Sequence, residues 1–347
     1  MKTIIVDMMG GDRSTVETVK GVVLAANEFE AKYILVGKKD ELLAAASENG
    51  ISLEGFEIVD TPTVITMDDD PICVTRSKSD SSMSVALRML ADGKGDAVVS
   101  TGNTGALFTG ATLIVRKMKN LRRPAIAALL PMQPPVLLLD SGANTSVTPD
   151  YLEQFAIMGS AYMKNIHGLE NPRVGLLNNG EEEHKGTPLQ IETYKLLSEN
   201  ENINFVGNVE GNRVMSNVCD VLVADGFTGN IFLKTMEGMG KLMLKTIKGI
   251  FYTNTKTKLC ALVVQNQIKD AKKKFDTREF GGAPILGISK PVIKAHGSSD
   301  AKAFKNAIRQ AIAFSEADLT EDMEATLASL AERKKAKKRA AEESVLN

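Results

Sequence analysis

The chain has 347 residues, of which 43% are apolar and 24% charged, as in an ordinary globular protein large enough to bury a sizeable core. Its 42 Lys and Arg nearly balance 43 Asp and Glu, so net charge indicates no nucleic-acid partner, and none is expected. The cysteines Cys73, Cys219 and Cys260 lack the spacing of a zinc site or a disulfide framework, which suits a reducing compartment. Neither a signal peptide nor a membrane-spanning apolar run is visible, so we expect a cytoplasmic protein.

In chain order, short β-branched runs end in Gly, Asp or Asn, and amphipathic stretches follow several of them. The predicted strands are Thr3–Val6, Tyr33–Val36, Ala97–Ser100, Val136–Leu139, Val174–Leu177 and Val221–Ala224. Helices are predicted from Ser14 to about Asn27, over Lys39–Asn49, and after Ala106. This order predicts an α/β domain whose mostly parallel sheet is covered on both faces. In such folds, ligands bind at the carboxyl ends of the strands.

The domain organisation is simple. A single α/β domain is expected over residues 1–320, because no Pro-, Gly- or Ser-rich linker interrupts it. A helical hairpin at about 232–275 is inserted in this domain. Residues 321–347 lack Gly and Pro and contain a basic run over Arg333–Arg339, which predicts a solvated helix fraying into a basic tail.

Several predicted strands lead into glycine-containing loops that can bring backbone N–H groups close to an anion. These are Gly10-Gly11, Gly102 to Gly105, and Gly142. Each loop alone is equally well explained as a sharp turn. The nucleotide-binding P-loop pattern is absent, and so is the dinucleotide pattern after the first strand, so the sequence gives no support to a nucleotide cofactor.

Three further loops carry chemically versatile side chains. Gly180–Gly186 places three Glu and His184 beside Lys185, which could hold an anion, although a solvated first turn of a helix explains the acids equally well. In Asp225–Asn230, two glycines are expected to bend a loop, with Asn230 at the helix start as either an oxyanion donor or a simple cap. His296 with Ser298 and Ser299 forms a plausible phosphate cradle.

Taken together, these loops resemble a known family. The ordered set is Asp7–Asp12, Ser100–Ala106, Gly142–Asn144, Gly180–Gly186, Asp225–Asn230, Gly281–Pro284 and His296–Ser299. It resembles the phosphate acyltransferases of bacterial phospholipid synthesis over residues 1 to about 315. Two departures are Met8, where the family has a small residue, and Arg13-Ser14-Thr15 in place of His-Ala-Pro, so residue 13 is left out of the site.

The resemblance implies a three-layer α/β/α fold like that of isocitrate and isopropylmalate dehydrogenases and phosphotransacetylases, in a homodimer. It implies acyl-acyl-carrier protein and inorganic phosphate as substrates, with neither a metal nor another cofactor. It also implies that Lys185 and Asn230 are catalytic. The residues expected to bind phosphate or substrate are Gly10, Gly11, Asp12, Asn103, Thr104, Asn144, Asp225, His296, Ser298 and Ser299.

The expected mechanism is direct attack of phosphate on the thioester carbonyl, with Asn230 stabilising the oxyanion. A covalent cysteine route is disfavoured, because Cys219 lies in an apolar pattern typical of a core. The alternatives are a phosphotransacetylase-like enzyme that uses a coenzyme A thioester, and a non-catalytic membrane scaffold for lipid-synthesis enzymes. A dehydrogenase, which the fold alone would allow, lacks its cofactor loop.

Two surfaces are expected to contact partners. Basic clusters at Arg116–Arg123 and Lys272–Lys274 are candidates for docking the acidic carrier protein. In the hairpin, Leu233, Met236, Met239, Met243, Ile247 and Ile250 form one apolar helical stripe opposite Lys241, Lys245 and Lys248. This hairpin could contact an anionic membrane, pair two subunits, or do both. Peripheral membrane association would bring the lipid-like product to a membrane glycerol-3-phosphate acyltransferase.

Overall fold

The computed structural model describes residues 1–268, 277–317 and 319–346. The strands are β1 Lys2–Asp7, β2 Ala31–Gly37, β3 Glu57–Asp60, β4 Ala97–Ser100, β5 Ala125–Leu130, β6 Val136–Leu139, β7 Arg173–Asn178, β8 Asn204–Glu210, β9 Val221–Val223, β10 Gly282–Leu286 and β11 Val292–Ala295. The helices are α1 Thr15–Glu28, α2 Lys39–Glu48, α3 Ser82–Ala91, α4 Thr104–Gly110, α5 Pro149–His167, α6 Pro188–Ser198, α7 Gly226–Phe251, α8 Thr255–Val263, α9 Ala301–Glu316 and α10 Leu319–Leu346.

These strands form one sheet in the order β3-β2-β1-β4-β11-β10-β5-β6-β9-β7-β8. The five strands from β3 to β11 are parallel to one another, and so are the four from β6 to β8. Between these halves, β10 is antiparallel to both neighbours, and β5 is antiparallel to β6. The two parallel halves therefore run in opposite directions, and each presents its own set of carboxyl-terminal loops.

Helices cover both faces of the sheet, which confirms the predicted fold class. On one face, α1, α5 and α9 pack with residues such as Ile4 and Val6. On the other face, α3 and α4 pack with Ile5 and its neighbours. The central strands β4, β6, β9 and β11 are buried on both sides, and their nearly continuous apolar sequences follow from this burial.

The C-terminal helix α10 differs from the expected solvated tail. Met323, Leu327 and Leu330 are buried against the core that includes α5. Lys334 then pairs with the buried Glu153 at 2.6 Å and with Asp150. The prediction of a helix is confirmed, but the prediction of a solvated one is wrong for its first turns. These apolar residues recur every three or four positions, and that spacing marks a packed face.

The predicted hairpin is formed by α7 and α8, with a turn at residues 252–254. Asn254 caps α8, because its side chain accepts the N–H of Thr257 at 3.0 Å. Leu233 and Met236, near the start of the apolar stripe, pack against the core beside β6 and β9. Further along, most of the apolar side chains are exposed. Lys269 and Lys272–Lys274, also expected in this region, lie outside the described residues.

Candidate active site

Three loops meet where the adjacent strands β1, β4 and β11 end. The N–H of Asp12 donates to the carbonyl of Gly297 at 2.9 Å, which joins the first loop to the third. A Cβ on Gly11 would lie 2.8 Å from the hydroxyl of Thr101 and 3.4 Å from the Gly297 carbonyl. Gly10 has φ +79°, and a Cβ there would lie 2.8 Å from the carbonyl of Ile65. The glycines are therefore needed for close approach, and the three loops form one group, called here the β1/β4/β11 loops.

His296 presents a neutral imidazole in this group. Its Nδ1 accepts the N–H of Ser298 at 3.1 Å, and the Ser298 hydroxyl lies 2.8 Å from the same nitrogen. The proton of the neutral ring is therefore on Nε2, and no described residue is hydrogen-bonded to this nitrogen. The pKa of His296 lies below its ordinary value, because partial desolvation and the nearby cations Lys234 and Lys294 disfavour the imidazolium.

Two buried hydroxyls in the same loops have no hydrogen-bond partner in the described part of the chain. They are Thr101 Oγ1 and Ser299 Oγ. Buried polar groups in native proteins are normally paired, so such groups mark a place where a ligand or water is expected. Ser299 was selected from the sequence, whereas Thr101 was not. Because Thr101 occurs within a glycine-loop motif directly after a strand, its position was the signal that could have identified it.

Two other selected residues in this group serve the loops themselves. Asn103 is buried, caps α4 by accepting the N–H of Ala106 at 3.0 Å, and donates to the carbonyls of Thr66, Met67 and Asp69. Its amide thereby ties the segment around Met67 to the loop after β4. Thr104 is the exposed first residue of α4.

A second group of loops follows the adjacent parallel strands β6, β9 and β7. Its centre is the buried carboxylate of Asp140, which accepts N–H groups from Gly142 at 3.0 Å, Ala143 at 3.1 Å and Asn144 at 2.6 Å. The amide nitrogen of Asn144 also donates to this carboxylate at 2.8 Å. Asn144 Oδ1 is buried and, among the described residues, has no partner. Asp140 thus folds the loop after β6 into a fixed shape.

Helix α7 begins earlier than the sequence predicted. Asp225 caps it by accepting the N–H groups of Phe227 at 3.0 Å and Thr228 at 2.9 Å, so the helix starts at Gly226. Asn230 is therefore inside the helix, and the expectation that it lies at the helix start, after a bent loop, is wrong. A Cβ on Gly229 would lie 2.0 Å from the Asp140 carbonyl, so the glycines permit close packing instead of a bend.

The exposed side chain of Asn230 faces the loop after β6. Its Cγ and Oδ1 lie 3.5 Å and 3.7 Å from where a Cβ on Gly142 would be, and Gly142 has φ +144°. Within the described residues, no protein group is hydrogen-bonded to this amide. Asn230 is consequently available to a ligand in the space beside Gly142.

Lys185 lies in an irregular loop after β7, not in a first helical turn. The carbonyl of Lys185 accepts from Asn178 at 3.1 Å, and the stem of its half-buried side chain covers Gly180. Of the nearby acids, Glu181 pairs with Arg213 at 3.1 Å and Glu183 contacts Tyr194 at 3.3 Å, while the carboxylate of Glu182 lies beside Gly180, as the Lys185 stem does. No ion pair of the described chain involves Lys185, so its ammonium is free to hold an anion.

Helix α7 connects the two groups of loops. Asn230 is beside Gly142 of the second group, and Lys234 follows it by about one turn. Lys234 and Glu237 are close enough to His296 of the first group to influence its pKa, and they pair with each other at 2.9 Å. The structure therefore brings the oxyanion candidate and the phosphate-cradle candidate to one helix.

The cysteines are poorly placed for covalent chemistry. Cys219 is buried, as the apolar pattern predicted, and burial raises the pKa of its thiol to about 12. Burial also raises the pKa of Cys73, while Cys260 is exposed on α8. Among the residues that the structure describes, no cluster of three or more His, Cys, Asp or Glu could hold a metal ion.

Comparison with known proteins places the chain in a family. Residues 2–322 match the family model described as fatty acid synthesis protein. The phosphate acyltransferase of Thermoanaerobacterium thermosaccharolyticum is 45% identical over 317 residues, which cover 91% of this chain and 94% of that protein.

Two solved structures share the fold. A phosphotransacetylase from Streptococcus pyogenes aligns with a TM-score of 0.60 and 14% identity, over 93% of this chain and 94% of that one. A 4-hydroxythreonine-4-phosphate dehydrogenase from Klebsiella pneumoniae aligns with a TM-score of 0.54 and 12% identity, over 90% and 98% of the two chains. The sequence matches identify the family more narrowly than the fold does, and they show that the chain belongs to the phosphate acyltransferase family of enzymes.

Proposed function

We propose that this enzyme transfers a fatty acyl group from acyl-acyl-carrier protein to inorganic phosphate, giving an acyl phosphate for phospholipid synthesis. The observation that carries the proposal is the meeting of two kinds of site along α7. His296, in the loops that hold the unpartnered hydroxyls of Thr101 and Ser299, is close enough to Lys234 to feel its charge, and the free amide of Asn230 lies about one helical turn before Lys234. The first suits an anionic nucleophile, and the second suits a developing oxyanion.

The phosphate would occupy the β1/β4/β11 loops. Thr101 Oγ1 and Ser299 Oγ can each donate one hydrogen bond to a phosphate oxygen, and the Nε2–H of His296 can donate a third. The glycines let backbone N–H groups approach the same anion. Lys185, which lacks an ion-pair partner in the described chain, is proposed to neutralise charge as the phosphate attacks.

The acyl thioester would lie along α7. Phe227 and Ile231 are each more than half exposed and flank Asn230 on this helix. Exposed apolar side chains beside a catalytic amide suit a fatty acyl chain better than a small polar acyl group. We propose that this surface carries the first carbons of the acyl chain.

The reaction needs no covalent enzyme intermediate. A phosphate oxygen forms a bond to the thioester carbonyl carbon, and the carbonyl oxygen becomes an oxyanion that accepts from Asn230. The carbonyl then re-forms as the C–S bond breaks, the electron pair leaves with sulfur, and the carrier thiolate takes the proton that the attacking hydrogen phosphate gives up. A buried Cys219 with a raised pKa offers no competing nucleophile.

A second candidate is transfer to phosphate from a coenzyme A thioester, the alternative that the sequence left open; a solved structure named a phosphotransacetylase shares the fold. The two donors separate in one assay. We expect kcat/KM for palmitoyl-acyl-carrier protein to exceed that for palmitoyl-coenzyme A, measured at saturating phosphate. A preference for the coenzyme A thioester would establish the alternative, and no turnover with either donor would favour a non-catalytic scaffold.

The product is itself lipid-like, so we also propose that the enzyme works at a membrane surface as a homodimer. None of the described helices is long and apolar enough to cross a membrane. The exposed apolar residues near the turn between α7 and α8 are proposed to reach anionic lipid, where a membrane glycerol-3-phosphate acyltransferase would take the acyl phosphate.

A further inference from the structure

Three polar side chains form a row across the buried face of strands β1, β4 and β11. Asp7 is in register with Ser100, and Ser100 is in register with Lys294, so the three lie side by side at the ends of their strands. They are 1%, 0% and 8% exposed, respectively. Burying charged groups is costly, so a buried aspartate and lysine within an otherwise apolar sheet require an explanation.

The row is attached to the β1/β4/β11 loops at both ends. Asp7 accepts the Ser100 hydroxyl at 2.6 Å, and the Ser100 oxygen accepts the N–H of Gly102 at 3.0 Å. Lys294 donates to the carbonyl of Thr101 at 3.1 Å and to that of Ala295, the residue before His296. Lys294 therefore holds the backbone of Thr101, whose hydroxyl has no partner in the described chain, and the backbone leading to His296.

The ammonium of Lys294 lacks a direct counter-ion. No carboxylate oxygen of the described residues lies within the 4.0 Å of an ion pair from it, although Asp7 and Asp12 are close enough to act electrostatically. Neutral donors would hold two carbonyls equally well, so hydrogen bonding alone does not account for a buried charge at this position. A charge without a partner, directly behind loops with unpartnered hydroxyls, suits a site that is completed by an anion.

We propose that Lys294 is a positioning residue for phosphate, whose buried charge makes the β1/β4/β11 loops selective for the dianionic substrate. This inference rests on the proposed function and adds to it a residue that acts on the anion indirectly, by holding the Thr101 backbone. Burial lowers the pKa of Lys294 to about 8, while Asp12 and Asp7 oppose that shift, so the ammonium is retained at neutral pH.

The electrostatic surroundings of Lys294 are few and identifiable. Asp7 faces it from β1, Asp12 from the following loop, and His296 from the loop after β11. The neighbouring strands β4 and β10 carry no charged residue, and α3, which packs against this face, has only the exposed Arg88. Of the groups named, Lys294 is the one that loses a positive charge as the pH rises above neutral.

The first experiment compares Lys294→Met with the control Lys290→Met. Lys290 lies just before the same strand and also donates to a carbonyl, that of Leu90 at 2.7 Å, but at the opposite end of β11. We expect Lys294→Met to raise KM for phosphate at least about 10-fold and to leave KM for the acyl thioester nearly unchanged. Lys290→Met should change neither. Calorimetric titration with inorganic phosphate alone should show the same loss of affinity in Lys294→Met.

A second measurement decides the matter if Lys294→Met does not fold. In the unaltered enzyme, KM for phosphate should rise as the pH passes upward through about 8, where Lys294 loses its proton. In Asp7→Asn, which keeps an acceptor for Ser100, that rise should move to lower pH because a favourable negative charge is gone.

Phosphate binding by a folded Lys294→Met protein within twofold of the unaltered enzyme would overturn the inference, as would an alkaline rise in KM that Asp7→Asn leaves in place. The proposed function fails separately, if the unaltered enzyme makes no acyl phosphate. In that case the phosphate calorimetry still decides the role of Lys294.

Discussion

The neutral imidazole of His296 makes the proposed reaction dependent on pH. Its Nδ1 accepts from the Ser298 N–H, so the ring must be neutral, and its pKa already lies below the ordinary value. We expect turnover to be constant through neutral pH and to fall only when the pH drops below the ordinary imidazole value of about 6.5. The check is kcat against pH at saturating substrates. The acid limb should disappear in His296→Asn, and a limb that persists unchanged would assign it to another group.

Lys185 provides the second prediction at the scale of single residues. Replacement by Ala should lower kcat by about 10²-fold or more, because the variant loses a charge that no other described residue supplies in this loop. Stability should change little, since the loop is exposed and its backbone hydrogen bonds remain. The control is Lys195→Ala on α6, with thermal unfolding measured for both. Turnover near that of the unaltered enzyme at low phosphate would remove Lys185 from the site.

The sequence suggested some of the candidate site residues but not others. Lys185 and His296 were selected because a Lys or His in a glycine-rich loop suits anion chemistry, and that assignment stays a prediction. Asp225 was selected from the same kind of loop, but its carboxylate caps α7. Lys294 was not selected, since its importance depends on register with Asp7 and Ser100, which lie far away in the sequence. The signal available in the sequence was the charged Lys294 inside the otherwise apolar run Val292–Ala295.

At the scale of elements, the hairpin of α7 and α8 gives a test of membrane contact. Ile250 and Tyr252 near the turn are 60% and 62% exposed, while Phe251 is half-buried, so the structure makes Tyr252 the better candidate for lipid contact. Ile250→Asp with Tyr252→Asp should abolish flotation with anionic vesicles and preserve turnover in solution. The control places the same charge on β8, in Val206→Asp.

Persistent flotation of the doubly substituted protein would show that the turn is not the anchor. Loss of turnover together with a change in oligomeric state would instead assign the exposed stripe to a subunit interface.

The apolar spacing in the sequence predicted both helices and their junction. It could not separate lipid from protein as the covering partner, because both bury apolar surface in the same way.

Of the two basic clusters expected to dock the acidic carrier protein, the structure describes the one between α4 and β5. Arg116, Lys119, Arg122 and Arg123 are exposed there, whereas Lys117 donates to backbone carbonyls. Arg122→Glu with Arg123→Glu should raise KM for the carrier-protein substrate several-fold, with a smaller salt dependence and an unchanged KM for phosphate. Lys32→Glu, exposed on β2, is the matched control. An unaltered KM for the carrier protein would exclude this segment from docking.

At the scale of the whole molecule, the alternation of apolar runs, glycine loops and amphipathic stretches was enough to predict a parallel sheet covered on both faces. It could not give the order of strands, because the antiparallel β10 and β5 that join the halves look like other short apolar runs. The placement of α7 across both groups of loops also depends on that order. The position of α7 in the site therefore depends on packing between distant segments, which a local sequence pattern does not reveal.

Phosphate itself is proposed to attack the acyl thioester in this enzyme. The most direct measurement incubates the purified protein with palmitoyl-acyl-carrier protein and radiolabelled inorganic phosphate, and follows both products. We expect one labelled palmitoyl phosphate for each free carrier thiol, with no thioester cleavage when phosphate is left out. Release of free palmitate without labelled acyl phosphate, or an acyl group trapped on the enzyme in the absence of phosphate, would contradict it.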